Sequence, residues 1–142
     1  MTIDEIQKDI NSKLPNAVVI AQEEVYTIMD NVLKQFYGEF TPDMYERTYQ
    51  LLSSCVKSSV RSSGNNAEAD VYFDSGMLSY STGAKPSGDA VIGAANIGMH
   101  GALGLHMEAG STRLLPDSEA AVARYIMPIL KDALIQAGIP VV

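Results

Sequence analysis

Thr41-Pro-Asp-Met-Tyr-Glu-Arg-Thr-Tyr-Gln-Leu-Leu-Ser-Ser54 is where the chain passes from helix-forming to strand-forming sequence, and its reading decides the fold. Thr41 is a capping residue type, and Pro42 suits the first helical position, where its missing N–H costs nothing. Tyr45, Tyr49 and Leu52 follow at i, i+4 and i+7 on one face, with Arg47 and Thr48 on the other. The stretch is predicted to be a short capped helical turn that delivers the chain into a β-hairpin.

Upstream of it, Thr2 and Glu5 form a capping box ahead of Ile3, Ile6 and Ile10 at helical spacing. This first helix is expected to stop near Lys13, because Pro15 disfavours helix in Leu14. Pro15 then suits the opening of a longer helix over 16–37. Its stripe is Val18, Ala21, Val25, Met29, Val32 and Phe36, and such a stripe has to be covered by a sheet or a second helix.

Downstream, Cys55 to Arg61 and Glu68 to Phe73 alternate in type around Ser-Ser-Gly-Asn-Asn. Gly64, Asn65 and Asn66 tolerate positive φ, which makes a hairpin the natural reading. Val56 and Val60 are expected on one face with Ala69, Val71 and Phe73. Met77 to Ser81 reads as a third strand. Residues 76–110 hold eight of the eleven glycines, with Lys85 as their only Lys or Arg. So Gly-rich and sparsely charged a stretch is either a loop with few contacts, expected over 83–105, or backbone packed closely on something else. Pro116 and Asp117 open a last helix with the stripe Val122, Tyr125, Ile126, Ile129, Leu130, Ala133 and Leu134. Pro128 is expected to kink or split it, and Gly138 with Pro140 to end it.

The sum is a single α+β domain over residues 1–142: a small, mostly antiparallel sheet packed by a long N-terminal helix and a C-terminal helix. Apolar content of 46% and charged content of 19% are those of a globular chain. A formal charge of −7 argues against direct sequence-specific nucleic-acid binding, whose footprint is a basic patch. The lone Cys55 forms no intramolecular disulfide and no cysteine-based zinc cluster, and reads as a small buried apolar residue at a strand start. No basic leader and no apolar run of about 20 residues suggests a signal peptide or a bilayer span, so a cytoplasmic protein without membrane contact is expected.

Candidate chemistry is thin. His100, His106 and Glu108 are the one cluster of metal-ligand types, and His106 and Glu108 would share a strand face. Their spacing matches no tight zinc signature, and ordinary surface or interface residues account for them as well. Gly98-Met-His-Gly101-Ala-Leu-Gly104 lacks the Gly-Lys-Ser/Thr of a phosphate loop, and no serine sits in a Gly-x-Ser-x-Gly elbow. Asp70 and Asp74 could pair as carboxylates or simply mark an exposed strand face. No metal or cofactor is expected, and chemistry by this chain is not.

The order long helix, Tyr45-x-Arg47-Thr48-x-x-Leu51-x-x-Ser54, hairpin, Glu108-x-Gly110-x-Thr112, final helix resembles the head–tail connector and tail-completion proteins of tailed bacteriophages and prophages. Tyr49 stands where that family has glycine, Ser111 is inserted before the threonine, and Pro116-Asp117 replaces its Pro-Phe. The resemblance implies a non-enzymatic virion assembly protein at the head–tail junction or upper tail. It implies a homo-oligomeric ring, contacts with other phage connector or tail proteins, and residence in the host cytoplasm and then the virion. An acidic ring can surround DNA without holding it. The apolar stripes at 18–36 and 122–137 independently predict self-association, since a three-stranded sheet cannot cover both.

Overall fold

The computed structural model describes residues 1–39, 50–78, 87–102 and 105–142, with the side chains of 101–108 outside that description. Helix α1 runs Ile3–Gly38 without a break. Its N-terminus is the expected capping box: Glu5 N–H donates to Thr2 Oγ1 at 3.2 Å and Thr2 N–H to Glu5 Oε2 at 2.7 Å. The predicted stop near Lys13 does not occur. Ile10, Leu14, Ala17 and Ala21 keep one face partly or fully buried straight through Pro15. Proline inside a helix costs about 3 kcal/mol, and continuous packing of that face offsets it, because tertiary burial outweighs local propensity.

The partner of that face is helix α3, Leu114–Gln136, which makes the most extensive contact with α1. The two run antiparallel: Lys13 Nζ donates to Gly138 O at 3.2 Å at one end, and Thr112 N–H to Glu39 Oε2 at 3.2 Å at the other. Small buried residues, Ala17 and Ala21 on α1 and Ala133 on α3, suit a close helix pair. Pro128 does not split α3. Gly138, at φ +85°, ends it in a Schellman arrangement, with Ile139 N–H on Leu134 O at 2.9 Å and Gly138 N–H on Ile135 O at 3.0 Å. The helix starts at Leu114, two residues before the expected Pro116. Asn96 Oδ1 takes Leu115 N–H, Asp117 Oδ2 takes Arg113 N–H, both at 2.9 Å, and Pro116 has no N–H to satisfy.

The strands make three two-stranded antiparallel ladders: β1 (Cys55–Lys57) with β4 (Val71–Phe73), β2 (Arg61–Ser63) with β3 (Asn66–Glu68), and β5 (Met99–Ala102) with β6 (Leu105–Ala109). The first two are one hairpin, turned by Gly64 at φ +58° and interrupted at 58–60 and 69–70. Buried Gln22 of α1 holds the interruption, its Nε2 donating to Ser58 O and Asp70 O at 2.9 Å each. Register corrects the expected face. Cys55 pairs with Phe73 and Lys57 with Val71, while Val56 lies opposite half-exposed Tyr72 on the other face. The interruption resets the alternation that the sequence reading carried through from Val56 to Val60.

Two further expectations fail where their residues are described. Ser75–Met77 is a 3-10 turn rather than the start of a third strand, because Asp74 Oδ1 accepts Gly76 N–H at 2.9 Å and closes the chain on itself. Residues 79–81 of the first stretch, and 83–86 and 103–104 of the second, lie outside the described residues. The Gly-rich region is not poor in contacts where it is described. Helix α2, Gly88–Asn96, is capped by Ser87 Oγ on Ala90 N–H and buries Ala95 to 1% exposure. Gly88 brings backbone against backbone: a Cβ there would overlap Ser75 O. The core gathers Met29, Leu33 and Phe36 of α1, Cys55, Ala95 and Leu114, flanked by Leu51, Leu52, Val71, Phe73 and Val122. It sits under the C-terminal half of α1, beside the Gly110–Thr112 segment that leads into α3. The α+β class, with a long N-terminal and a C-terminal helix packed on small antiparallel ladders, is the one expected.

Candidate functional site

α1 ends at Gly38, and Glu39 caps it, its N–H on Phe36 O at 3.3 Å. The carboxylate therefore leaves a helix C-terminus, an unfavourable place for negative charge by the helix dipole alone. It is answered from the far side of the chain. Gly98, at φ +80°, turns the backbone into β5, and Gly110 N–H donates back to Gly98 O at 2.7 Å. That brings His100 and the Ser111-Thr112 pair to one place. Glu39 Oε2 has His100 Nε2 at 3.2 Å, Ser111 N–H at 3.1 Å and Thr112 N–H at 3.2 Å. Oε1 accepts the Ser111 hydroxyl at 2.9 Å and the Thr112 hydroxyl.

The Glu39 side chain is 18% exposed and that of His100 5%. The imidazole also stacks on Phe36, ring centroids 4.0 Å apart and planes 14° from parallel. Burial alone would raise the Glu39 pKa, but the hydrogen bonds from the Thr112 hydroxyl and amide, then Ser111 and His100, outweigh it and hold the carboxyl at about 2. A carboxylate so weakly basic, with both oxygens occupied by donors, is a poor general base near neutral pH. What it does is fix geometry: it ties the end of α1 to β5 and to the lead-in of α3. Gly110 completes the tie, since a Cβ there would overlap Glu39 Oε2 and His100 Nε2.

Of the residues singled out from sequence, His100, Gly110, Ser111 and Thr112 are brought together here. Register sets His100 opposite Glu108 on the β5–β6 ladder, but the side chains of His106 and Glu108 lie outside the described residues, as do Tyr45, Arg47, Thr48 and Tyr49 of the other motif. Among the described residues no group of three or more His, Cys, Asp or Glu is placed to hold a metal ion. Cys55 is 5% exposed at the start of β1, and burial pushes its thiol up to about 11. Asp70 and Asp74 serve apart: Arg61 Nη2 lies 2.8 Å from Asp70 Oδ2, and Asp74 closes the 3-10 turn. Sequence patterning alone does not mark Glu39. The signal was there: an acidic residue directly after Gly38, where the dipole disfavours it, requires donors from elsewhere.

The sequence model of the family described as YomN matches residues 2–117, and the chain belongs to that family. The family name is one associated with phages and prophages of Bacillus, which agrees with the phage-related part of the resemblance. Neither the curated proteins nor the solved structures give a match.

Proposed function

We propose that this YomN-family chain is a non-enzymatic structural subunit of a phage or prophage particle, set at the head–tail junction or upper tail and acting by ring formation. The observation that carries the reading is the match to a phage-associated family, beside apolar side chains left open on α3: Met127 at 72% and Leu130 at 42% on one flank, with Tyr125 at 50% and Ile135 at 51% on other sides. The adjoining Met127 and Leu130 leave apolar surface that a neighbouring subunit could cover. The Glu39 tie agrees with it, because it uses the Gly110-Ser111-Thr112 segment as scaffold. Other connector or tail proteins are the expected neighbours, in the host cytoplasm during assembly and then in the virion. No helix among the described residues is long and apolar enough to cross a membrane.

Particles purified after induction or infection test this. Mass spectrometry should find the chain there in several copies per particle. Particles that lack it and remain infectious after its deletion would remove the reading. A small metal-binding domain or enzyme built on His100, His106 and Glu108 is the rival, favoured only by the facing register of His100 and Glu108. Against it, His100 is engaged by Glu39 and stacked on Phe36. Stoichiometric zinc in the purified protein would reverse that preference.

A further inference from the structure

Two surfaces of the helix pair differ in charge. Between α1 and α3 lies a groove of about 380 Å³, with Ile20, Ile28, Tyr125 and Pro128 in its walls and the carboxylates of Glu24 and Asp132 beside them. On α3, Arg124, Met127 and Lys131 recur at i, i+3 and i+7 and so share one flank, with Leu130 next to them. This flank is exposed and apolar at its centre, with a basic residue at each end. Tyr125, Pro128 and Asp132 repeat the same spacing one residue later, which turns them about 100° around the helix. Flank and groove are therefore different faces of α3.

Charge distinguishes the candidates for covering them. At −7, copies of this chain repel on average, so any contact between them needs local opposite charge. Lys13, Lys34, Lys57 and Arg61 are already ion-paired within the chain. Arg124 and Lys131 make no ion pair among the described residues, and neither do Glu24 and Asp132 on the groove.

We propose that the α3 flank carrying Arg124, Met127, Leu130 and Lys131 seats in the α1–α3 groove of a second copy, its basic ends meeting Glu24 and Asp132. Helix-on-groove packing of this kind buries the exposed apolar centre between two like-sized ridges. Because the two surfaces differ, the contact is head-to-tail, and repetition closes a ring or extends a filament. The inference rests on the ring reading above and names its interface.

Charge reversal tests it by sedimentation velocity over a range of concentrations, with thermal melting followed by circular dichroism as the folding control. Arg124→Glu with Lys131→Glu should weaken association about tenfold or more, and so should Glu24→Lys with Asp132→Lys. All four positions are exposed, so melting should hold. A chain carrying all four changes should associate again at close to the original strength. If the unaltered chain associates and neither pair of changes affects it, the interface is wrong and the ring reading stands. If the unaltered chain is monomeric throughout yet present in purified particles, a second copy is the wrong occupant and the particle assignment survives. A monomer absent from particles overturns both.

Discussion

Glu39 and Thr112 are 73 residues apart in sequence, yet the Thr112 amide donates to Glu39 Oε2 at 3.2 Å while its hydroxyl donates to Oε1 of the same carboxylate. One side chain thus fixes where α1 ends relative to where α3 begins. The core and the groove both depend on that relation.

The tie should be visible as acid sensitivity. Glu39 titrates at about 2 in the folded chain against an ordinary 4.5. A depressed folded value stabilises the fold above the unfolded pKa and loses that contribution as pH falls from about 4.5 toward 2. Melting followed by circular dichroism should show the loss in that window, and Glu39→Gln should be less stable at neutral pH with a flatter acid limb. An identical acid limb in the variant would exclude Glu39 as its source.

Gly110 is expected to reject any side chain. Its Cβ would overlap Glu39 Oε2 and His100 Nε2 and come within 2.8 Å of His100 Cδ2. Gly110→Ala should lower stability by about 1–3 kcal/mol, as overpacking does. Gly93, with nothing within 4 Å of an added Cβ, is the control. Gly93→Ala should be neutral or slightly stabilising, since it sits within α2.

Phe36 belongs to the chain's own core. It is 4% exposed and lies flat on His100. Phe36→Ala should cost about 3–5 kcal/mol, and Phe36→Glu should prevent folding rather than merely block association. A folded, monomeric Phe36→Glu protein would show that the ring faces a neighbour instead.

Cys55 should be inert to maleimide until the protein unfolds. It is buried, and its thiol is pushed up to about 11, so thiolate is scarce at neutral pH. Labelling that is as fast without denaturant as with it would contradict both its burial and its raised pKa.

The helices were legible because their apolar positions repeat at the helical period over many turns, and the capping box at Thr2 and Glu5 marks the start of α1. Their ends were less so: Pro15 and Pro128 look like breaks locally, and only packing between α1 and α3 carries the helices through them. The hairpin at Gly64 was readable from its turn residues. Its register was not, because Gln22, held on a different element, fills the interruption. Helix α2 was hidden for a similar reason, since Gly88 at its start is there for close approach to the Ser75 backbone. Of the candidate site, the Gly110 and Thr112 half stood out in sequence. Glu39 did not, since a carboxylate that meets its donors 61 to 73 residues away leaves only its awkward position as a clue.

That separation also has a timetable. At 5–20 residues per second, a ribosome adds the 73 residues from Glu39 to Thr112 in roughly 4–15 s. The part of α1 beyond Pro15 can wind in about a microsecond, so for most of that interval its C-terminal turn carries a carboxylate facing the wrong end of the dipole without its donors. The nascent chain is most exposed to wrong partners, or to chaperone capture, between the emergence of α1 and that of Thr112.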